Sequence, residues 1–119
     1  MTLYCGIDLH SNNSVVAVLD EQDRTVYEKR LPNDIARITE TLCIYQSELA
    51  ACVVESTYNW YWLVDGLMDA GFPVRLAHTS ALPEYSGLKY SNDFSDARHL
   101  AHLLRLGLLP TGYIYAREE

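Results

Sequence analysis

Four acidic residues stand where this sequence is otherwise apolar or is about to begin a helix. Asp8 falls near the end of TLYCGIDL, Glu55 closes AACVVE, and Asp93 and Asp96 precede the apolar stretch ARHLAHLL. The spacing of Asp93 and Asp96 puts both on one face of a helix. Carboxylates brought together repel one another unless protons or divalent cations neutralise them, and hard cations such as Mg²⁺ prefer oxygen ligands. Two such ions about 4 Å apart can hold both the attacking and the departing oxygen of a phosphodiester. If the four acids converge, the chemistry they point to is phosphoryl transfer assisted by Mg²⁺ or Mn²⁺. Each acid also has a plainer reading. Asp93 can be an N-cap with Asp96 in the first turn, where acids favour the helix dipole, and Glu55 can begin a loop. Asp8 resists such a reading, because an acid that ends a central strand rarely lacks a partner or a ligand.

Whether the acids converge depends on the elements that carry them. Residues 2–9 and 14–20 are short, apolar and β-branched, with His10-Ser11-Asn12-Asn13 between them, which predicts a hairpin. Residues 24–31 (RTVYEKRL) alternate polar and apolar and predict a third, half-exposed strand. Pro32-Asn33-Asp34 starts a helix on which Ile35, Ile38, Leu42, Tyr45 and Leu49 share a face. Residues 50–54 read as a strand buried on both faces, and Ser56 and Thr57 can cap a helix over 58–70 with Trp60, Leu63, Val64, Leu67 and Met68 inward. Gly71 stops it, a strand follows over 73–77, and residues 78–92 read as a short helical turn and loop. A last helix runs from about Asp93 to Leu106.

The order βββαβαβ plus a terminal helix implies an α/β fold with a mixed five-stranded sheet. Three strands are antiparallel, and two more are added through right-handed βαβ crossovers with flanking helices. This is the ribonuclease H arrangement, in which the fourth strand lies parallel to the first. Asp8 is three residues after Cys5 and Glu55 three after Cys52, so both carboxylates can sit at one carboxyl edge of the sheet.

The chain has 119 residues, 49% hydrophobic and 21% charged, which fits one soluble globular domain over 1–119. No apolar stretch approaches the about 20 residues of a membrane helix, and no secretory signal opens the chain, so no membrane partner is expected and the cytoplasm is the expected address. Cys5, Cys43 and Cys52 lie far apart in apolar runs without paired zinc spacing and read as reduced core residues. The net charge of −7 argues against a free-standing nucleic-acid binder.

Other residues carry weaker signals. His10, two residues after Asp8, is the one histidine singled out as a contact or proton shuttle, because His78, His99 and His102 form no recognised metal spacing with a third ligand. Lys89 and Arg98 are candidate contacts to a nucleic-acid backbone, whereas Arg105 reads as part of a solvated helix face. Tyr58, Trp60, Tyr61 and Trp62 can stack on bases but fit a core or an interface better. The serines near the acids read as caps and turn residues, since none stands in a nucleophile-elbow pattern.

Together the stretches YCGIDLHSNNSVVAVLD, CVVESTYNWYWLVDGLMDAGFPVRLAHTS and LKYSNDFSDARHLAHLLRLGLLP resemble the N-terminal domain of the DEDD transposases of bacterial insertion sequences, the insertion-sequence 110 group. The resemblance covers nearly the whole chain. Its most specific element is Asp-x-x-Asp-Ala ahead of an apolar helix, here Asp93 to Ala97; the Gly-Ile-Asp at a strand end is shared by several superfamilies. The resemblance implies a RuvC-like domain of ribonuclease H fold whose acidic tetrad, by position Asp8, Glu55, Asp93 and Asp96, binds divalent metal for DNA strand cleavage and exchange. Members often carry lysine and threonine just before the third acid; here Ser91-Asn92 precede Asp93 and the lysine is Lys89. Members continue through a helical region into a second domain with a serine proposed as nucleophile. On this reading the chain is a shortened form, able to bind metal but not to complete transposition. Its expected partners are DNA, and for the full-length protein a structured guide RNA and further copies of the chain, in the bacterial cytoplasm. Three other readings stand beside it. One is a stand-alone RuvC-like Holliday-junction nuclease, and another is a non-catalytic docking remnant of the same fold. The third is an ATP-binding module, because GIDLHSNNSVVAVLD also resembles the first phosphate loop of the actin and sugar-kinase superfamily.

Overall fold

A computed structural model describes residues 1–55, 59–77 and 93–108, with only the backbone of Asp93. The first hairpin forms as its two apolar runs and the polar tract between them predict. β1 (Leu3–Leu9) and β2 (Asn13–Leu19) are antiparallel, and the His10 N–H donates to Asn13 O at 2.8 Å across the turn. A second turn leads to β3 (Thr25–Pro32). Here the carboxylate of Asp20 replaces missing backbone partners, accepting from the N–H groups of Gln22 at 2.8 Å and Arg24 at 2.9 Å. These bonds, first that from the Arg24 backbone, hold Asp20 below the ordinary range of an aspartic acid.

The Asp34 side chain caps α1 (Ile35–Leu42) by accepting from Ala36 N–H. The helix ends earlier than its apolar spacing predicts. A 3-10 helix occupies Cys43–Glu48, and Leu49 opens β4 (Leu49–Glu55). Pairing of Leu49 with Leu3 in the sheet outweighs the helical periodicity that would have carried it onward. Cys43, expected in the core, is exposed in this turn, whereas Cys5 and Cys52 are buried; all three are free thiols. Then come α2 (Tyr61–Asp69), β5 (Val74–Ala77) and α3 (Asp93–Leu106). α2 is shorter than predicted. The expected caps Ser56 and Thr57, and the segment 78–92, lie outside the described residues. Gly71 ends α2 and Gly107 ends α3, each with a left-handed φ, 91° and 71°.

The sheet order is β3-β2-β1-β4-β5, with β4 parallel to both β1 and β5. Strand alternation then assigns two faces. Cys5, Ile7, Val16, Val18, Cys52 and Val54 pack with Ile38, Leu42, Leu63 and Leu67 of α1 and α2. On the opposite face Val15 and Ala17 pack on Ala97, and Val53 on Leu100 and Leu103, so among the described residues α3 covers that side. No helix among the described residues is long and apolar enough to cross a membrane.

Candidate functional site

Asp8 and Glu55 belong to the face covered by α3. In the β1–β4 register Gly6 is opposite Val53 and Ile7 opposite Val54, so one further step sets Asp8 level with Glu55. Val53 packs against α3, and residues two apart on a strand share a face, so Glu55 follows Val53 and Asp8 follows Gly6. The third acid arrives on α3 itself, since Asp96 immediately precedes Ala97, whose side chain packs on Val15 and Ala17. All three carboxylates are nearly inaccessible, with Asp8 1%, Asp96 2% and Glu55 7% exposed.

Close approach of the helix depends on Gly6. A Cβ there would lie 2.8 Å from Ala101 N and 2.9 Å from Leu100 Cβ, and closer still to Ala97 O. Helix backbone therefore rests directly on strand backbone, two residues before Asp8 on β1 and one residue after Asp96 on α3. Sequence reasoning used Gly6 only as part of a strand-end pattern. The available signal was glycine inside an apolar strand, which marks a place where another backbone comes near.

His10 Nε2 lies 3.1 Å from Asp8 Oδ2, so the singled-out histidine does meet the strand-end acid. Its own position is held from below, where Asn33 Nδ2 donates to His10 O at 2.9 Å and Ser14 Oγ donates to Asn33 Oδ1 at 2.6 Å. Asn33, read in the sequence only as part of a helix start, thus ties the hairpin turn beside Asp8 to the end of β3. Arg98 points elsewhere, donating through Nη1 to Glu28 Oε1 at 2.6 Å on β3. Arg105 is not simply solvated, because its Nε donates to Asp23 Oδ1 at 3.0 Å. Asp93 is the first residue of α3, three before Asp96, and its side chain lies outside the described residues, as does all of Lys89.

The donor chemistry fits a hard divalent cation: buried carboxylates on two adjacent strand ends and on the first turns of a helix. Among the described residues no group of three or more His, Cys, Asp and Glu side chains is already gathered at metal-holding separation. The other buried acid, Asp20, is accounted for by its turn and by Arg24 Nε at 3.0 Å.

Comparison with known proteins bears on this arrangement. A transposase family model, that of the DEDD transposases of the insertion-sequence 110 group, matches residues 5–113. Among solved structures the chain is similar to RuvC of T. thermophilus in complex with Holliday junction substrate, with TM-score 0.64 and 16% identity over 93% of this chain and 99% of that one. A second Thermus thermophilus RuvC structure gives TM-score 0.60 and 16% identity over 92% and 99% of the two chains. No curated protein matches. At these identities the RuvC likeness is one of fold, and the fold is the RuvC-like, ribonuclease H-like one that the element order implies.

Proposed function

This chain belongs to the DEDD transposases of the insertion-sequence 110 group, and from that premise we propose that it is their metal-dependent DNA strand-cleavage and transfer domain. The observation that carries the proposal is the placement of Asp8, Glu55 and Asp96. Three acids far apart in sequence are buried on one face of the sheet, where α3 rests on β1. Asp93 completes the tetrad by its place on α3. Bound there, Mg²⁺ or Mn²⁺ would supply Lewis-acid stabilisation of charge on a phosphodiester and activation of the attacking oxygen. Each chain residue has a task that follows from its position. Asp8 and Glu55 are fixed by the paired strands that carry them, so their separation is set by the sheet. Asp96 is set by helix packing and responds to any shift of α3. His10 orients the Asp8 carboxylate from the rim, where its half-exposed ring can also meet the DNA strand. Outside the family premise, a Holliday-junction nuclease acting alone would rest on likeness of fold only. On this reading DNA is the partner of the domain, in the bacterial cytoplasm.

Calorimetric titration of Mg²⁺ and Mn²⁺ into the chain and into an Asp8→Asn, Asp96→Asn double variant tests the reading. Binding by the first and none by the second is expected. Equal binding by both would refute the assignment of these acids, and cleavage of DNA that survives the double variant would refute their role.

A further inference from the structure

Apart from its two acids, every polar side chain of α3 is a hydroxyl, an arginine or a histidine: Ser95, Arg98, His99, His102 and Arg105. In a chain of net charge −7 this segregation is marked, and the spacing puts all five on one stripe of the helix. The stripe begins one residue before Asp96. It borders a cleft of about 360 Å³ between α3 and the β2–β3 hairpin, lined by Asp23 and Thr25 on one side and by Ser95, Arg98, His99 and His102 on the other. Burial, and then the neighbouring His102, holds His99 below the usual imidazole range, so near neutral pH it meets a ligand as an uncharged ring.

Among the described residues, the acids paired with the stripe come from the hairpin. Glu28 accepts from Arg98, while Asp23 accepts from Arg105 Nε and lies 2.7 Å from His102 Nδ1. These side chains are 24–38% exposed, so the pairs are screened by water and exchange readily for another anion. Arginine guanidinium and serine or threonine hydroxyls are the groups that contact nucleic-acid phosphates. A strand brought to the carboxylates also needs cations beside them to offset the repulsion of its own phosphates.

We propose that the α3 stripe and its cleft form a track for the phosphodiester backbone of a single DNA strand leading to the acidic site, with Asp23 and Glu28 standing in for phosphates when no DNA is bound. The inference rests on the DNA-cleaving reading above. It also gives an acidic chain a local way to hold DNA: Arg98 and Arg105, two of its nine lysines and arginines, share one stripe with His99 and His102.

The test is fluorescence anisotropy with a short labelled single-stranded DNA oligonucleotide and its RNA equivalent, in EDTA at low salt, using the whole chain. Arg98→Gln with His102→Asn should weaken DNA binding about tenfold and lower the log–log salt slope by about one. Asp23→Asn with Glu28→Gln should tighten binding about threefold, because the competing carboxylates are gone. Asparagine suits the φ of 67° at position 23. A purely structural role for these pairs predicts the reverse, weaker binding from both double variants, and that result overturns the proposal. No binding by the unaltered chain, or equal affinities throughout, also overturns it, and a tenfold preference for RNA overturns the choice of DNA. Arg98→Lys, which keeps the charge, should retain most of the affinity, separating loss of charge from misfolding. Mn²⁺ titration of the same variants separates this proposal from the one it rests on. Metal binding with unaffected DNA binding removes the track alone, whereas DNA binding through the stripe without metal binding removes the cleavage reading alone.

Discussion

Replacing Gly6 by alanine should damage metal binding more than it damages the fold. The new Cβ would meet Ala101 N at 2.8 Å and Leu100 Cβ at 2.9 Å, with Ala97 O closer still, whereas ordinary contact begins at 3.4 Å. The nearest obstacles are backbone atoms of α3, which no rotamer change can move, so the helix must retreat by about 1 Å to restore normal separations. Overpacking of this kind costs about 1–3 kcal/mol, and a contact with rigid backbone belongs at the upper end. Asp96 travels with Ala97, while Asp8 stays with the sheet. Coordination distances tolerate only about 0.2 Å, so a retreat of that size would break the proposed cation site. Calorimetry should show Mn²⁺ affinity falling more than about tenfold, alongside a stability loss of about 1–3 kcal/mol by urea unfolding. Gly66→Ala is the matched control. Its Cβ would also intrude, 2.6 Å from Ile35 Cδ1 and closer to Cγ1, but against a side chain in the contact between α1 and α2 on the other face. It should lower stability and leave metal affinity unchanged. Gly6→Ala with unchanged Mn²⁺ affinity, or Gly66→Ala with an equal loss, would refute the argument that this helix contact sets the site.

Three further outcomes can be checked on the same protein. Asp96→Asn removes one charge from a set of buried acids, so in EDTA it should raise the melting temperature by a few degrees, about 1 kcal/mol, and abolish stabilisation by Mg²⁺; a lower melting temperature in EDTA would make Asp96 a structural anchor instead. Asp20 has its acidity strengthened by the fold, chiefly through the Arg24 backbone N–H. Its contribution is therefore complete above the ordinary aspartate value of 3.8 and lost as pH falls through the lower folded value. Asp20→Asn should accordingly flatten the acid limb of a stability–pH profile, and an unchanged limb would rule this out. In native buffer a thiol reagent should label Cys43 quickly and spare Cys5 and Cys52 until the chain unfolds. The Cys5 thiol is pushed well up by its hydrogen bond with Cys52 and by burial, so rapid labelling of more than one site would contradict the packing.

Much of this protein is legible in the order of its residues. Apolar, β-branched runs over residues 2–9 and 14–20 and alternation over 24–31 mark three strands because a sheet buried on one or both faces admits few other patterns. The last helix, Asp93 to Leu106, is found with both ends because an acid-rich start and Gly107 are local signals. Local signals fail where pairing decides. Leu49 and Tyr45 continue the helical spacing from Ile35, yet the chain tightens into a 3-10 helix so that Leu49 can pair with Leu3. Cys43 looks like core by its neighbours and is exposed for the same reason.

By itself the sequence determines which residues could do chemistry and the order of the elements that carry them, because residue type, period and turn signals are properties of short stretches. It also points to the family through Asp93, Asp96 and Ala97 in their spacing. The tertiary structure alone decides that Asp8 and Glu55 stand level on one face, since this depends on the register of two strands about 40 residues apart. It also decides that Asp96 is buried where α3 rests on Gly6, and that Arg98 and His102 turn toward the β2–β3 hairpin. Those facts come from how two surfaces fit, and no single stretch of chain contains both surfaces.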